Sequence, residues 1–332
     1  MDRAWLNIVV VCFWLASMTW LVWAKVLPPL LVGKPPTYAS LVAAQKDDTA
    51  VEWQLLWDSQ PIGGATSRVA RADDGLIVQT SKLEIRRLPL SKINPLKMGI
   101  LSPNAGLAEP LLDLRAESRF EIHPLDHELL GFESKLTTSL MTDPVFVRGS
   151  IEGNQLHLNV TTGTFSYRTS AFVRPDRPLG DALSPQMRLP GLRLGQTWTE
   201  PVYNPFRSAN ESLDVVLAVV EQEDFVFWNG RVEPTWLVVY RPDAGASGQR
   251  EPRARAWVRH DGLVVQQEVR IMTSWLRFVR LPPRDPDTPT ESAPAEFAPA
   301  EFAPAAIVPA ATVPAAKVPA NAAAADGQGG RP

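Results

Sequence analysis

The chain has 332 residues, a net charge of −3 and a pI near 5.9. That balance gives no basic field for nucleic acid, so no nucleic-acid partner is expected. The one cysteine, Cys12, leaves the rest of the chain without a disulfide, a thiolate metal site or a cysteine nucleophile, which fits a bacterial envelope protein better than a disulfide-rich secreted module.

From Ala4 to Ala24 there is no charged side chain, and only Asn7, Ser17 and Thr19 interrupt a run of Val, Leu, Ile, Phe and Trp. About 20 such residues match the ~30 Å hydrocarbon core, and Trp5, Trp20 and Trp23 stand where aromatic rings favour the interface. Lys25 stops the run, and Pro28-Pro29 cannot continue a helix. Residues 1–25 are therefore expected to be a transmembrane anchor that contacts the membrane through residues 4–24. Val22-Trp23-Ala24 lacks the small-x-small pattern of a cleavage site, so the helix is expected to be retained. Val11 before Cys12 argues against lipidation. The basic residues flanking the run are weak guides to orientation. An anchor at the very start of a chain is handled like an export signal, which places the bulk outside the cytoplasm.

Residues 26–50 read as a Pro-rich connector with a short helix near Tyr38 to Ala44. From Val51 to about Leu281 the text alternates apolar with polar residues, the period of half-buried strands. The expected strands in the first half are Val51–Trp57, 62–71, 76–88, 114–122, 129–141, 145–151 and 156–160. A turn is expected at Gln60-Pro61 before Gly63-Gly64, and Asp73-Asp74-Gly75 is the strongest hairpin signal there. Residues 91–110 break the pattern. Residues 172–192 are proline-rich and aperiodic, and read as a crossover. The second half offers 196–201, 213–220, 225–228, 235–240, 254–259, 263–270 and 274–281.

The text from Arg71 to Gln79 reads much like that from Val258 to Gln266, each with an Asp-Gly turn between alternating strands. Duplication of two units, 51–171 and 192–281, is one explanation; two hairpins with the same turn chemistry converging is the other. The expected class is mainly β: curved antiparallel sheet, half-barrel or barrel-like, after one N-terminal helix. Residues 282–332 are a Pro/Ala-rich tail with prolines recurring every five residues from Pro294 to Pro319, which favours an extended, solvated chain.

Motifs for chemistry are sparse. His123, His127, His157 and His260 are the four histidines. The pair His123/His127 superficially resembles a zinc motif, but Pro124 and the strand-like flanks oppose a helix, and no third ligand is marked. No serine sits in a Gly-x-Ser-x-Gly elbow, and no glycine loop precedes a helix. No catalytic, cofactor-binding or metal-binding residue is assigned, and no cofactor. Trp53, Trp57, Trp198, Trp228, Trp236, Trp257 and Trp275 are read first as core anchors and second as the lining of an acyl or glycan groove.

Three stretches, Trp57 to Gly63, Leu189 to Trp198 and Ala256 to Gly262, resemble the β-rich domain that precedes transglutaminase-like cores in bacterial membrane-anchored proteins. The likeness covers roughly 51–280 and is similar in kind to the curved sheets of lipoprotein carriers. It implies a fold and an accessory role. No Cys-His-Asp core follows, so it implies no catalytic residue. The expectation is a single-pass protein of the bacterial inner membrane whose outer β body is a non-enzymatic binding or scaffold module, with an envelope protein, lipid or glycan as partner. A carrier of lipid or lipoprotein acyl chains in an apolar concave groove, and a hydrolase with a spatially assembled site, are the alternatives.

Overall fold

The computed structural model describes residues 3–23, 35–45, 48–89, 111–204, 213–242, 251–271 and 274–283. The aperiodic stretch 91–110, Pro28 and Pro29 of the connector and all but the first residues of the tail lie outside these.

Two helices come first. Helix α1 is Arg3–Leu21, 19 residues, and its described side chains are exposed along its length. Among the described residues no helix is long and apolar enough to cross a membrane. The crossing expected over 4–24 is not supported by α1, whose 19 residues span about 28 Å at ~1.5 Å per residue. Helix α2, Tyr38–Ala44, sits where it was expected; Thr37 caps it, accepting from Ser40 N at 3.3 Å while Thr37 N donates to Ser40 Oγ at 3.0 Å.

Fifteen strands follow in a single sheet: β1 (Val51–Trp57), β2 (Gln60–Arg71), β3 (Ile77–Pro89), β4 (Leu111–Ile122), β5 (Leu129–Thr138), β6 (Val145–Glu152), β7 (Gln155–Thr162), β8 (Phe165–Phe172), β9 (Gly180–Asp181), β10 (Thr197–Tyr203), β11 (Leu213–Trp228), β12 (Arg231–Pro242), β13 (Ala254–Arg259), β14 (Val264–Ile271) and β15 (Ser274–Arg280). Their order is β8-β7-β6-β5-β4-β3-β2-β1-β15-β14-β13-β12-β11-β10-β9. The first strand is therefore internal. The chain meanders from it to one edge, crosses over, and meanders back until β15 pairs beside β1, with Leu55 opposite Phe278. Every pairing is antiparallel except the short parallel contact of β9 with β10.

The sheet is not closed, because β8 and β9 do not pair. It curls so far that Tyr203 on β10 meets Phe132 on β5, ring centroids 5.6 Å apart. Ser118 on β4 likewise reaches Asp181 on β9 at 2.5 Å. One edge is tucked against the inner face of the opposite wing. Strong right-handed twist accumulated over many strands permits this geometry.

The strands form where alternation places apolar side chains on one face. Local details depart from the sequence reading. The first turn is Asp58-Ser59, both at positive φ (47° and 68°), so Gln60 and Pro61 already belong to β2. Gly63 lies within β2 at a register shift, where a Cβ would come within 1.9 Å of the Glu84 carbonyl oxygen. Strand β8 was not expected. The two strands expected at 213–220 and 225–228 are one, β11, carried past Glu221 by a bulge between Val220 and Gln222.

Two clusters make the core. One gathers Trp53, Leu55, Trp57, Val220, Val238, Ala256 and Phe278 with Leu183, Met187 and Leu189 of the crossover. The other gathers Tyr38, Phe120, Phe132, Leu156, Leu158 and Tyr203 with Val173 and Leu179. The curled sheet thus fills its hollow with its own crossover and with α2.

Candidate functional site

The crossover, residues 173–196, is the feature around which polar groups gather inside the sheet. Prolines 175, 178, 185 and 190 deny it a regular ladder, so its backbone groups find other partners. Leu179 N donates to the Tyr38 hydroxyl at 3.0 Å. Leu189 N donates to the Gly262 carbonyl at 2.8 Å, and Arg188 bridges to Leu263.

Two buried carboxylates belong to this seam, Asp181 within the crossover and Glu200 beside it. Asp181 Oδ2 accepts from Ser118 Oγ at 2.5 Å and Ser184 Oγ at 2.7 Å, and Oδ1 accepts from Leu183 N at 2.9 Å. Burial pushes its carboxyl above the ordinary range, against the pull of those three donors. Glu200, on β10, accepts from Gln186 Nε2 at 3.0 Å and from Trp198 Nε1 at 3.3 Å. Burial pushes it up to about 7 despite both hydrogen bonds. Gln186 also accepts from the Tyr240 hydroxyl at 2.9 Å, and its backbone N–H donates to Gln267 Oε1 at 3.0 Å. The network ties the crossover to β10, β12 and β14.

Cavities flank this polar seam. One, about 60 Å³, lies between α2, Phe120, Ile122 and Leu179; the other, about 80 Å³, lies toward Val216, Val269 and Arg253. Glu200, Asp181 and Gln186 line both. On the inner face beside them, Ser67, Ser81, Ser118 and Ser134 stand directly opposite one another across β2 to β5. All four are buried, and the hydroxyls of Ser67 and Ser81 have no hydrogen-bond partner. A carboxyl that burial keeps protonated up to about pH 7, with Ser184 and Gln186 along both cavities, can hold the polar end of a small ligand.

The residues singled out from the sequence lie elsewhere. His123 pairs with Asp126 at 2.7 Å in the β4–β5 turn, and His127 is in the same turn at positive φ (57°). His157 is 3.9 Å from Glu152, and His260 stacks on Trp236 with centroids 4.9 Å apart. Neither cavity is lined by a histidine. Among the described residues no group of His, Cys, Asp and Glu could hold a metal. Trp53, Trp57, Trp198 and Trp228 are buried, and Trp236, Trp257 and Trp275 are half-buried. Neither cavity is lined by a tryptophan.

Sequence reasoning passed over Glu200. Its signal is strand parity: in Trp198-Thr199-Glu200 the carboxylate falls on the same face as the Trp, the face that is buried. Asp181 and Gln186 carry no such signal, because the crossover has no period.

The class defined by this fold is a large, open, curled antiparallel sheet filled by its own connection. No family model and no curated protein matches the chain. Among solved structures it is similar to a β-barrel-like protein of a domain of unknown function, DUF1849, from Brucella abortus, with 8% identity and a TM-score of 0.41, covering 70% of this chain and 94% of that one.

Proposed function

We propose that the chain is a membrane-anchored, non-enzymatic binding module of the bacterial cell envelope, held in the inner membrane by its N-terminal helix with the curled sheet outside the cytoplasm. The observation that carries this reading is a contrast in burial. The sheet satisfies its apolar face with its own crossover, whereas Trp5, Phe13, Trp14 and Trp20 of α1 are left exposed. Large apolar side chains in that number call for a lipid or protein environment. The accessory role implied by the resemblance to domains before transglutaminase-like cores fits a body that binds rather than reacts.

Reporter fusions after residue 50 and protease access to intact spheroplasts test it. An external reporter and cleavage from outside are expected; a cytoplasmic reporter overturns the reading.

The paired cavities favour a second reading, a carrier of an acyl chain whose polar end meets Glu200. Such a ligand needs more room than about 60 and 80 Å³, so the crossover would have to lift. Mass spectrometry of lipids co-purifying with the chain tests this, and a chain free of lipid counts against it.

A further inference from the structure

Register fixes which strand ends lie together. The start of β1, the end of β2, the start of β3, the end of β4 and the start of β5 share one rim, as Val51↔Ser67, Arg71↔Ile77, Ile77↔Ile122 and Ile122↔Leu129 require. The same rim holds the end of β8, opposite the start of β7, and the turn between β13 and β14. It also holds the tip of the β11–β12 hairpin, because Thr235 pairs with Arg259 at the rim end of β13. That hairpin overhangs its neighbour: β11 and β12 stay paired from Thr235 out to Trp228↔Arg231, past the last residue of β13.

Outside residues 3–23, the five most exposed large apolar side chains among the described residues are Leu125 (84%), Phe172 (73%), Phe227 (72%), Phe225 (67%) and Val232 (63%). All five are on this rim. Phe227 faces Val232, and Phe225 faces Pro234, across the overhanging hairpin. Leu125 tips the β4–β5 turn, and Phe172 ends β8. At the opposite strand ends the most exposed is Phe165 (56%). The N-terminal segment reaches the sheet at the same rim, through Tyr38 and then Val51. Residues 22–37 separate α1 from α2, and even fully extended they span at most roughly 55 Å.

We infer that this rim rests in the interface of the bilayer that holds α1, with Phe225, Phe227, Val232, Leu125 and Phe172 entering the headgroup region as separate apolar tips. The inference rests on the anchoring proposed above. The tips belong to three places in the sheet order, β8, the β4–β5 turn and β11–β12, with other strands between them. A deformable lipid surface meets such scattered tips, whereas a protein partner is better matched by one contiguous patch. Charges on the rim are mixed, with Asp73, Asp74 and Asp126 against Arg231 and Arg259. Apolar contact therefore leads, and zwitterionic lipid suffices.

The test uses the full chain in phosphatidylcholine vesicles, with Cys12→Ser so that one introduced cysteine carries an environment-sensitive fluorophore. Phe227→Cys and Leu125→Cys sit on the rim, and Phe165→Cys at the opposite strand ends is the control. Leu125→Cys lies in an exposed turn and guards against misfolding of the Phe227 variant. Labels at 227 and 125 are expected to shift to the blue, be quenched by nitroxide lipids and resist aqueous iodide, while the label at 165 does the reverse. A chain that floats with the vesicles but leaves all three labels equally open to iodide overturns the rim contact and spares the anchor. A chain that does not float overturns the anchor, and the rim contact with it.

Discussion

The two Asp-Gly hairpins are the same turn put to different uses. In the first, Ala72 N donates to the Leu76 carbonyl at 2.9 Å and Leu76 N to Asp74 Oδ1 at 3.0 Å; in the second, Arg259 N donates to the Leu263 carbonyl at 2.8 Å and Leu263 N to Asp261 Oδ1 at 3.1 Å. Gly75 and Gly262 have φ of 86° and 82°. A Cβ on Gly75 would meet nothing within 4 Å, yet one on Gly262 would lie 2.8 Å from Pro190 Cα. The second turn is the platform on which the crossover lands, and the first is left bare. Turn chemistry is local, while its use is decided by what the topology brings over it.

The sharpest way to break that likeness is Gly262→Ala. The substitution adds left-handed strain of about 1–2 kcal/mol and forces the crossover backbone off its platform, for a total of about 4 kcal/mol. Denaturant unfolding measures the loss. Faster proteolysis within 182–196 in native buffer is the second expected reading, because the Leu189 N and Arg188 contacts go with the platform. A Gly262→Ala chain as stable as its parent would mean that the crossover does not need this turn.

The crossover's hold on β10, a few residues before that platform, is sharpened by pH. Glu200, at about 7, is held by Gln186 of the crossover and lies well above the ordinary 4.5. Its neutral form is the one the fold favours. Below about pH 4.5 folded and unfolded chains both keep the proton, and nothing is lost. Between 4.5 and 7 only the folded chain keeps it, so stability falls as pH rises. Above 7 the loss from this group is full, about 3 kcal/mol at 1.36 kcal/mol per pH unit. Asp181 is shifted the same way and adds to the trend. Unfolding free energies across that window should decline with pH, and Glu200→Gln should flatten the decline. A slope unchanged in Glu200→Gln would assign the pH dependence to another group.

The strand text was legible wherever one face is apolar and the other polar, which is why β1 and β13 have the bounds that alternation gave them. Strand β8 was not, because its inward positions are Tyr167, Thr169 and Ala171, only half-buried at an edge. The acidic run Glu221-Gln222-Glu223-Asp224 reads as a break, but a bulge carries β11 through it. Parity marks Glu200 as inward and says nothing of Gln186, whose place depends on how the crossover lies. The pairing of β15 with β1, and the tuck of β9–β10 against β4–β5, are likewise beyond parity, which names a residue's face and not its neighbour.

The smallest effect separates strain from contact at the two turns. Asn adopts the left-handed region far more readily than Ala, because its short side chain can hydrogen-bond locally. Gly75→Ala should cost about 1 kcal/mol, the strain being partly offset by a less flexible unfolded chain, and Gly75→Asn only a few tenths. At Gly262 the Asn relieves the φ but keeps the Cβ against Pro190, so Gly262→Asn should stay close to Gly262→Ala. Four thermal melts measure both differences. If Asn rescues Gly262 as fully as Gly75, the cost at Gly262 is conformational alone, and the crossover is only laid over the turn without bearing on it.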